Sequence, residues 1–267
     1  MNIDYLEGID GHLITPGPIF LRGVVGSTAH GLALPGTDDR DEMGVCLEGP
    51  LHLFGLQHFE QSIFRTAAQR EGKQDARSQA GDLDIVVYGL RKFCRLALKG
   101  NPTILTLLYL PEYVFKTELG GRLIDMRHAF RSKRACRAFY GYLTAQLDRL
   151  MGVRGQKRVT RPNLVEAHGY DTKYAMHMLR LAYQGIEYAK TGDLTLPMPE
   201  NQQEALMNVR RGKTPLAGVL HHANRLMQEF TEAMEKTSLP EHPKAYDVDL
   251  FLVDVYTESL RTSGPVL

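Results

Sequence analysis

The chain of 267 residues reads as an α+β protein: a part built of strands and helices, followed by a helical C-terminal part. Three observations predict this. Short β-branched, alternating runs occur only before Gly89. Beyond Gly120 the apolar residues recur at threes and fours, the helical spacing. Compact stop-and-restart signals such as Gly100-Asn101-Pro102 separate the segments.

Residues 19–25 read as a strand closed by Gly26-Ser27, and after a turn rich in Gly, Pro and Asp, residues 43–47 read as its partner. Residues 65–81 are polar and are expected to form a mobile loop. Residues 82–88 make a third strand, rich in β-branched side chains. A helix is predicted over 90–99 and a second over 103–110, ending before Pro111. Ala135, Phe139, Leu143, Leu147 and Leu150 then mark a long amphipathic helix. Further helices are expected at 171–190, 202–211, 216–236 and 248–260. The composition shift near Gly120 predicts two domains, 1–120 and 121–267.

Hydrophobic residues make up 43% and charged residues 24%, which excludes wholesale disorder. The net charge of +1 commits the whole molecule neither to nucleic acid nor to an acidic surface. Cys46, Cys94 and Cys136 are widely spaced with no CxxC pair, which excludes a disulfide scaffold and a cysteine-rich zinc site. Cys94 and Cys136 fall on apolar helix faces and are expected in the core. The opening Met1-Asn2-Ile3-Asp4 is not a signal peptide, and no apolar run approaches the roughly 18 residues of a membrane span. A cytoplasmic protein with no membrane partner is expected. No GxSxG elbow or Ser-His-Asp order supports a hydrolase triad. His221 and His222 are adjacent on a helix, point about 100° apart, and are expected at the surface.

The near-neutral total hides a basic block. Residues 122–161 carry eleven Lys/Arg against Asp125 and Asp148, a net +9, so the remainder sums to −8. Such a block is either a solvated helix face or a contact surface for phosphates, and it lacks the aromatic interleaving that stacks unpaired bases.

The chemistry concentrates in Gly26-Ser27-Thr28-Ala29-His30-Gly31, followed by Thr37-Asp38-Asp39-Arg40-Asp41 and Gly44-Val45. A strand ending in Gly-Ser offers backbone N–H groups and a hydroxyl to phosphate oxygens. Asp39 and Asp41, at i and i+2 where the next strand begins, project to one face. Paired carboxylates repel unless a cation neutralises them, and Mg²⁺ takes oxygen ligands together with substrate phosphates. A third carboxylate on the strand at 82–88, Asp84 or its same-face partner Asp82, would complete a two-metal site. His30 either touches phosphate or packs.

The run GSTAHGLALPGTDDRDEMGV resembles the signature of predicted nucleotidyltransferases of the DNA polymerase β superfamily, in the branch associated with RNA-repair ligases. Residues 84–93, with Lys99-Gly100-Asn101-Pro102-Thr103, resemble that branch's strand, helix and GNP turn. Residues 169–181 resemble its C-terminal KxxxHxxR helix. The resemblance implies a polymerase-β-like mixed sheet with flanking helices, followed by a helical domain that contributes to nucleotide and acceptor binding. It implies that Gly26 and Ser27 hold an NTP's triphosphate, that Asp39 and Asp41 bind Mg²⁺ (or Mn²⁺), and that Asp84 supplies the third carboxylate. Asp38 departs from the pattern, standing where a serine commonly precedes the first metal aspartate. Its charge would then point away from the site.

Lys173, His177 and Arg180, at i, i+4 and i+7, form one polar stripe, with Ala175, Met178, Leu179 and Ala182 on the opposite, core face. A face of donors with no acid suits triphosphate oxygens, and with the resemblance it is read as nucleotide-binding. Arg211 and Lys213 resemble a further family element, and the loop 154–161 is a candidate grip for an acceptor. The expected activity is transfer of a nucleoside monophosphate from an NTP to an acceptor hydroxyl, releasing pyrophosphate. An RNA 3′ end is favoured by analogy; a protein hydroxyl and a small molecule stay open, as do the base and the oligomeric state. The rival readings are a non-catalytic nucleic-acid-binding module and an antitoxin-like partner protein.

Overall fold

The computed structural model describes residues 13–34, 36, 38–73, 76, 78–153 and 161–262. Its elements run β1 (Ile19–Val24), α1 (Gly26–Ala29), β2 (Arg40–Cys46), α2 (Pro50–Leu53), β3 (Gln61–Arg65), α3 (Thr66–Glu71), β4 (Leu83–Gly89) and α4 (Leu90–Leu98). There follow α5 (Pro102–Thr106), β5 (Phe115–Lys116), α6 (Glu118–Asp125), α7 (Lys133–Leu150), α8 (Pro162–His168) and α9 (Thr172–Thr191). The chain ends in α10 (Glu200–Arg210), α11 (Leu216–Lys236) and α12 (Ala245–Thr262). Contacts divide it into two compact units. The sheet unit holds the residues up to Ala97, Thr106–Ala129 and those from Lys244 on; the helical unit holds Leu98–Leu105 and Phe130–Pro243.

The sheet unit is a mixed five-stranded sheet in the order β3-β4-β2-β1-β5 with flanking helices. β2 and β4 run parallel, and the other neighbouring pairs run antiparallel. The alternation in β4 is clean: Leu83, Ile85 and Val87 are buried while Asp84, Val86 and Tyr88 are half-buried. The inward set joins Leu13, Cys46 and Phe64 in one apolar cluster. Glu48 is buried here, and its carboxylate accepts from the backbone N–H of Leu90 at 2.9 Å and from the Tyr256 hydroxyl. It thereby caps α4 and ties α12 to the sheet unit.

The first part of the segment expected as a loop, 65–71, instead completes β3 and forms α3, while the described residues from 72 to 81 carry neither helix nor strand. Several of its polar side chains are paired. Thr66 Oγ1 donates to the Leu83 carbonyl at 2.9 Å and accepts from the Leu83 N–H at 2.6 Å, while Arg70 grips Asp82 with two guanidinium nitrogens at 2.6 and 3.0 Å.

In the helical unit α9 is central, packed by α7, α8, α10 and α11. Asp171 caps its start by accepting from the N–H groups of Lys173 and Tyr174, both at 3.0 Å, and Gly192 at φ +77° ends it. The predicted apolar face, Ala175, Met178, Leu179 and Ala182, is buried. Gly185 lets Phe230 of α11 approach so closely that a Cβ would overlap its ring. Cys46, Cys94 and Cys136 are all buried free thiols. His222 corrects the surface reading of the histidine pair: it is half-buried and its Nε2 lies 2.9 Å from the Tyr183 hydroxyl. Among the described residues no helix is long and apolar enough to cross a membrane.

Candidate active site

Register brings the carboxylates together. In the parallel β2–β4 ladder Asp41 stands directly beside Asp84, and in the antiparallel β3–β4 ladder Arg65 stands beside Asp84 from the other side. Asp39 precedes Asp41 by two residues. Each of Asp39, Asp41 and Asp84 offers a carboxylate oxygen, and these three atoms lie within 4.8 Å of one another. All three residues are half-buried. Three acids at this separation repel strongly in a partly desolvated site, which favours a multivalent cation among them.

Asp82, the alternative third acid, is committed elsewhere. The Arg70 hydrogen bonds, and next the Gln79 N–H at 2.7 Å, hold its carboxyl below the usual range. Asp84 is instead fixed by Arg65 Nε at 3.0 Å and by the Ser78 hydroxyl at 2.9 Å, which also accepts from Arg65 Nη2 at 2.9 Å. Sequence reasoning missed both residues, because Arg65 and Ser78 sit in the segment taken for a loop.

Asp38 is not one of the three clustered acids. Its carboxylate accepts from the Ser27 hydroxyl at 3.0 Å and the Leu34 N–H at 2.9 Å, so it braces the Gly-Ser turn. That turn opens α1, and Gly26 adopts φ +63° with no room for a side chain: a Cβ would overlap the Asp41 carboxylate. Gly26→Ala is therefore expected to displace Asp41, abolishing divalent-cation binding while the far-ultraviolet circular dichroism stays native. Calorimetric titration with Mn²⁺ checks this, and unaltered affinity would contradict it. His30, after the turn, is buried.

Lys173, His177 and Arg180 share α9 in the helical unit, all half-buried. Burial lowers the Arg180 pKa to about 10, so its guanidinium stays charged at neutral pH; its Nη1 donates to Gln184 Oε1 at 3.3 Å. His177 is different. Burial, and then the charges of Arg180, Arg149, Lys173 and Arg161, push its pKa from 6.5 down to about 3. The stripe thus holds two cations and a neutral imidazole, not three cationic donors. In the unfolded chain this imidazole takes up a proton below about pH 6.5, which the folded state refuses until about pH 3. Stability is complete above that window and is lost as the pH falls through it. Between pH 7.5 and 4.5 the wild type is expected to lose about 2 kcal/mol more than His177→Gln in urea unfolding. Equal losses would contradict the depressed pKa.

The basic block is divided between the two units. Arg122 and Arg127 belong to the sheet unit and the other described members to the helical unit. Arg122 pairs with Asp254 at 2.6 Å and Glu258 at 2.7 Å, Arg137 with Glu241 at 2.6 Å, Arg161 with Asp171 at 3.2 Å, and Arg131 with Asp193. Four of its eleven cations thus meet acids of the later chain. Residues 154–160, the proposed acceptor grip, lie outside the described residues.

A family model described as the RNA repair pathway DNA polymerase beta family (RlaP) matches residues 9–254. The chain belongs to that family. Membership supports a polymerase-β-like nucleotidyltransferase, a transferase acting on a nucleotide, and accords with the carboxylate cluster. No curated protein sequence matches the chain. Among solved structures, a nucleotidyltransferase-like protein from Exiguobacterium sibiricum 255-15 aligns at 12% identity over 95% of this chain and 77% of that one. Its TM-score of 0.29 is too low to carry an argument.

Proposed function

We propose that this member of the family transfers a nucleoside monophosphate from an NTP to an acceptor hydroxyl in a divalent-metal-dependent reaction. The observation that carries this reading is the convergence of Asp39, Asp41 and Asp84 oxygens within 4.8 Å across two parallel strands. An all-carboxylate donor set, with water and phosphate oxygens left to complete the shell, fits Mg²⁺ or Mn²⁺ and not a thiolate-seeking metal. Asp39, Asp41 and Asp84 would hold the cation. When bound, it polarises phosphoryl oxygens and eases loss of the acceptor proton.

The chain's own residues supply the rest. Gly26 and Ser27 begin a helical turn whose first N–H groups lack intrahelical acceptors, and in this reading they receive triphosphate oxygens. In this reading Lys173 and Arg180 of α9 offer cations to nucleotide phosphate. His177, uncharged, gives and accepts a hydrogen bond without adding charge. Asp84, clamped by Arg65 and Ser78, is oriented to accept or steer the acceptor's proton. Buried free thiols suit a reducing cytoplasm.

An RNA end is the acceptor we favour, on the family's association with RNA repair. Incubation with each α-labelled NTP, Mg²⁺ or Mn²⁺ and a mixed RNA pool tests it. Label is expected on RNA 3′ ends. Label appearing only on protein or on small molecules would overturn the RNA acceptor while leaving the transfer reaction standing.

A further inference from the structure

Between α7 and α9, wholly inside the helical unit, lies a cavity of about 410 Å³, within the range of small-ligand pockets. Ala138, Gly141 and Ala145 recur at i, i+3 and i+7 along α7, and their small size opens its apolar floor. Tyr142 forms a wall, its hydroxyl accepting from Asn101 Nδ2 at 3.0 Å. Beside that floor, Gln146 and Arg149 continue the stripe from Tyr142 at i+4 and i+7, facing His177 of α9 across the cavity.

Two features mark this as a built site and not a packing defect. Gln146 is only 7% exposed, yet its Oε1 is buried with no hydrogen-bond partner. A buried acceptor left unpaired is costly unless something else supplies a donor. Arg149 forms no ion pair among the described residues, and its charge joins those of Arg180, Lys173 and Arg161 around the neutral His177. The cavity therefore offers a flat aromatic wall, a small-residue floor, a waiting acceptor and the positive charge of Arg149. A planar ring bearing N–H donors, joined to an anionic group, satisfies all four.

We propose that this cavity binds a nucleoside phosphate, with Gln146 accepting from the base and Arg149 holding phosphate. The assignment rests on the nucleotide-dependent reading above and adds two nucleotide ligands that lie outside the KxxxHxxR stripe. It also accounts for a neutral imidazole at this place: His177 can bond the ligand without competing with the guanidinium for the phosphate.

Calorimetry of the full-length protein with AMP, adenosine and inorganic phosphate, in EDTA so that no metal contributes, tests the pocket. Arg149→Ala is expected to weaken AMP and inorganic phosphate by at least roughly tenfold, the loss of one charge-assisted hydrogen bond. Gln146→Leu is expected to weaken AMP and adenosine but spare inorganic phosphate. Gly141→Leu points a side chain into open space at the cavity floor, where a Cβ meets nothing within 4 Å, and replaces a poor helix former. It should block AMP while thermal stability holds or rises, which separates occlusion from misfolding. Wild-type AMP affinity in all three variants would overturn the pocket and leave the transfer reaction intact. Absence of binding by the wild type to AMP, and to ATP with Mg²⁺, would remove both.

Discussion

Asp39→Ala and Asp41→Ala are each expected to lower metal-dependent nucleotidyl transfer by roughly 10²- to 10³-fold or more, the range seen when one charge-stabilising group is removed from an active site. The three carboxylate oxygens within 4.8 Å act as a unit, so losing one leaves too little charge to hold a cation. Stability should move the other way. Removing one acid relieves repulsion in the metal-free protein, so unfolding midpoints without metal should be unchanged or slightly raised. Asp82→Ala is the informative control. It breaks the Arg70 bridge but leaves the three-acid cluster, so it is expected to cost stability and retain most activity. Initial rates and urea midpoints for the three variants decide the matter. Wild-type rates in Asp39→Ala or Asp41→Ala would remove the assignment.

The Lys173→Ala/Arg180→Ala double variant is expected to lose about 10²- to 10⁴-fold in affinity for a non-hydrolysable NTP, at about 1.5–3 kcal/mol for each hydrogen bond to a charged group. Arg180 is half-buried and also donates to Gln184, so Arg180→Lys serves as the milder partner variant. A lysine keeps the charge but not the planar fork, and an intermediate loss is expected. Equal affinity in wild type and double variant would sink the phosphate role of α9.

Much of the sheet was legible because β1, β2 and β4 carry alternating or β-branched runs between turn residues. The acidic pair was legible too, since Asp39 and Asp41 open a strand. What no local pattern could provide was register. Only the parallel pairing of Asp41 with Asp84 selects Asp84 over Asp82, and a parallel neighbour is set by a crossover, not by adjacent residues. β3 and α3 escaped notice because Arg65, Thr66 and Arg70 make their segment polar; their partners, Asp84, Leu83 and Asp82, lie 12 to 19 residues onward.

The pairing of the basic block was hidden for a related reason. Charge summed along the sequence ignores acids folded against it, and Arg131, Arg137 and Arg122 meet partners 62, 104 and 132 to 136 residues away. Gln146 left no trace at all. On a helix an isolated glutamine reads as solvated, and only its burial without a partner makes it notable. The helical spacing of α12 was readable, but spacing does not say which unit a helix joins; the buried Glu48–Tyr256 bond does.

The most direct test follows pyrophosphate. Purified protein is incubated with each NTP in turn, with cellular RNA as acceptor, in Mg²⁺, in Mn²⁺ and in EDTA, alongside Asp41→Ala. Release of pyrophosphate matched by label on the acceptor is expected for at least one NTP in the presence of metal, and neither in EDTA nor with Asp41→Ala. Pyrophosphate release that persists in Asp41→Ala, or the absence of release from every NTP with either metal, would contradict the account.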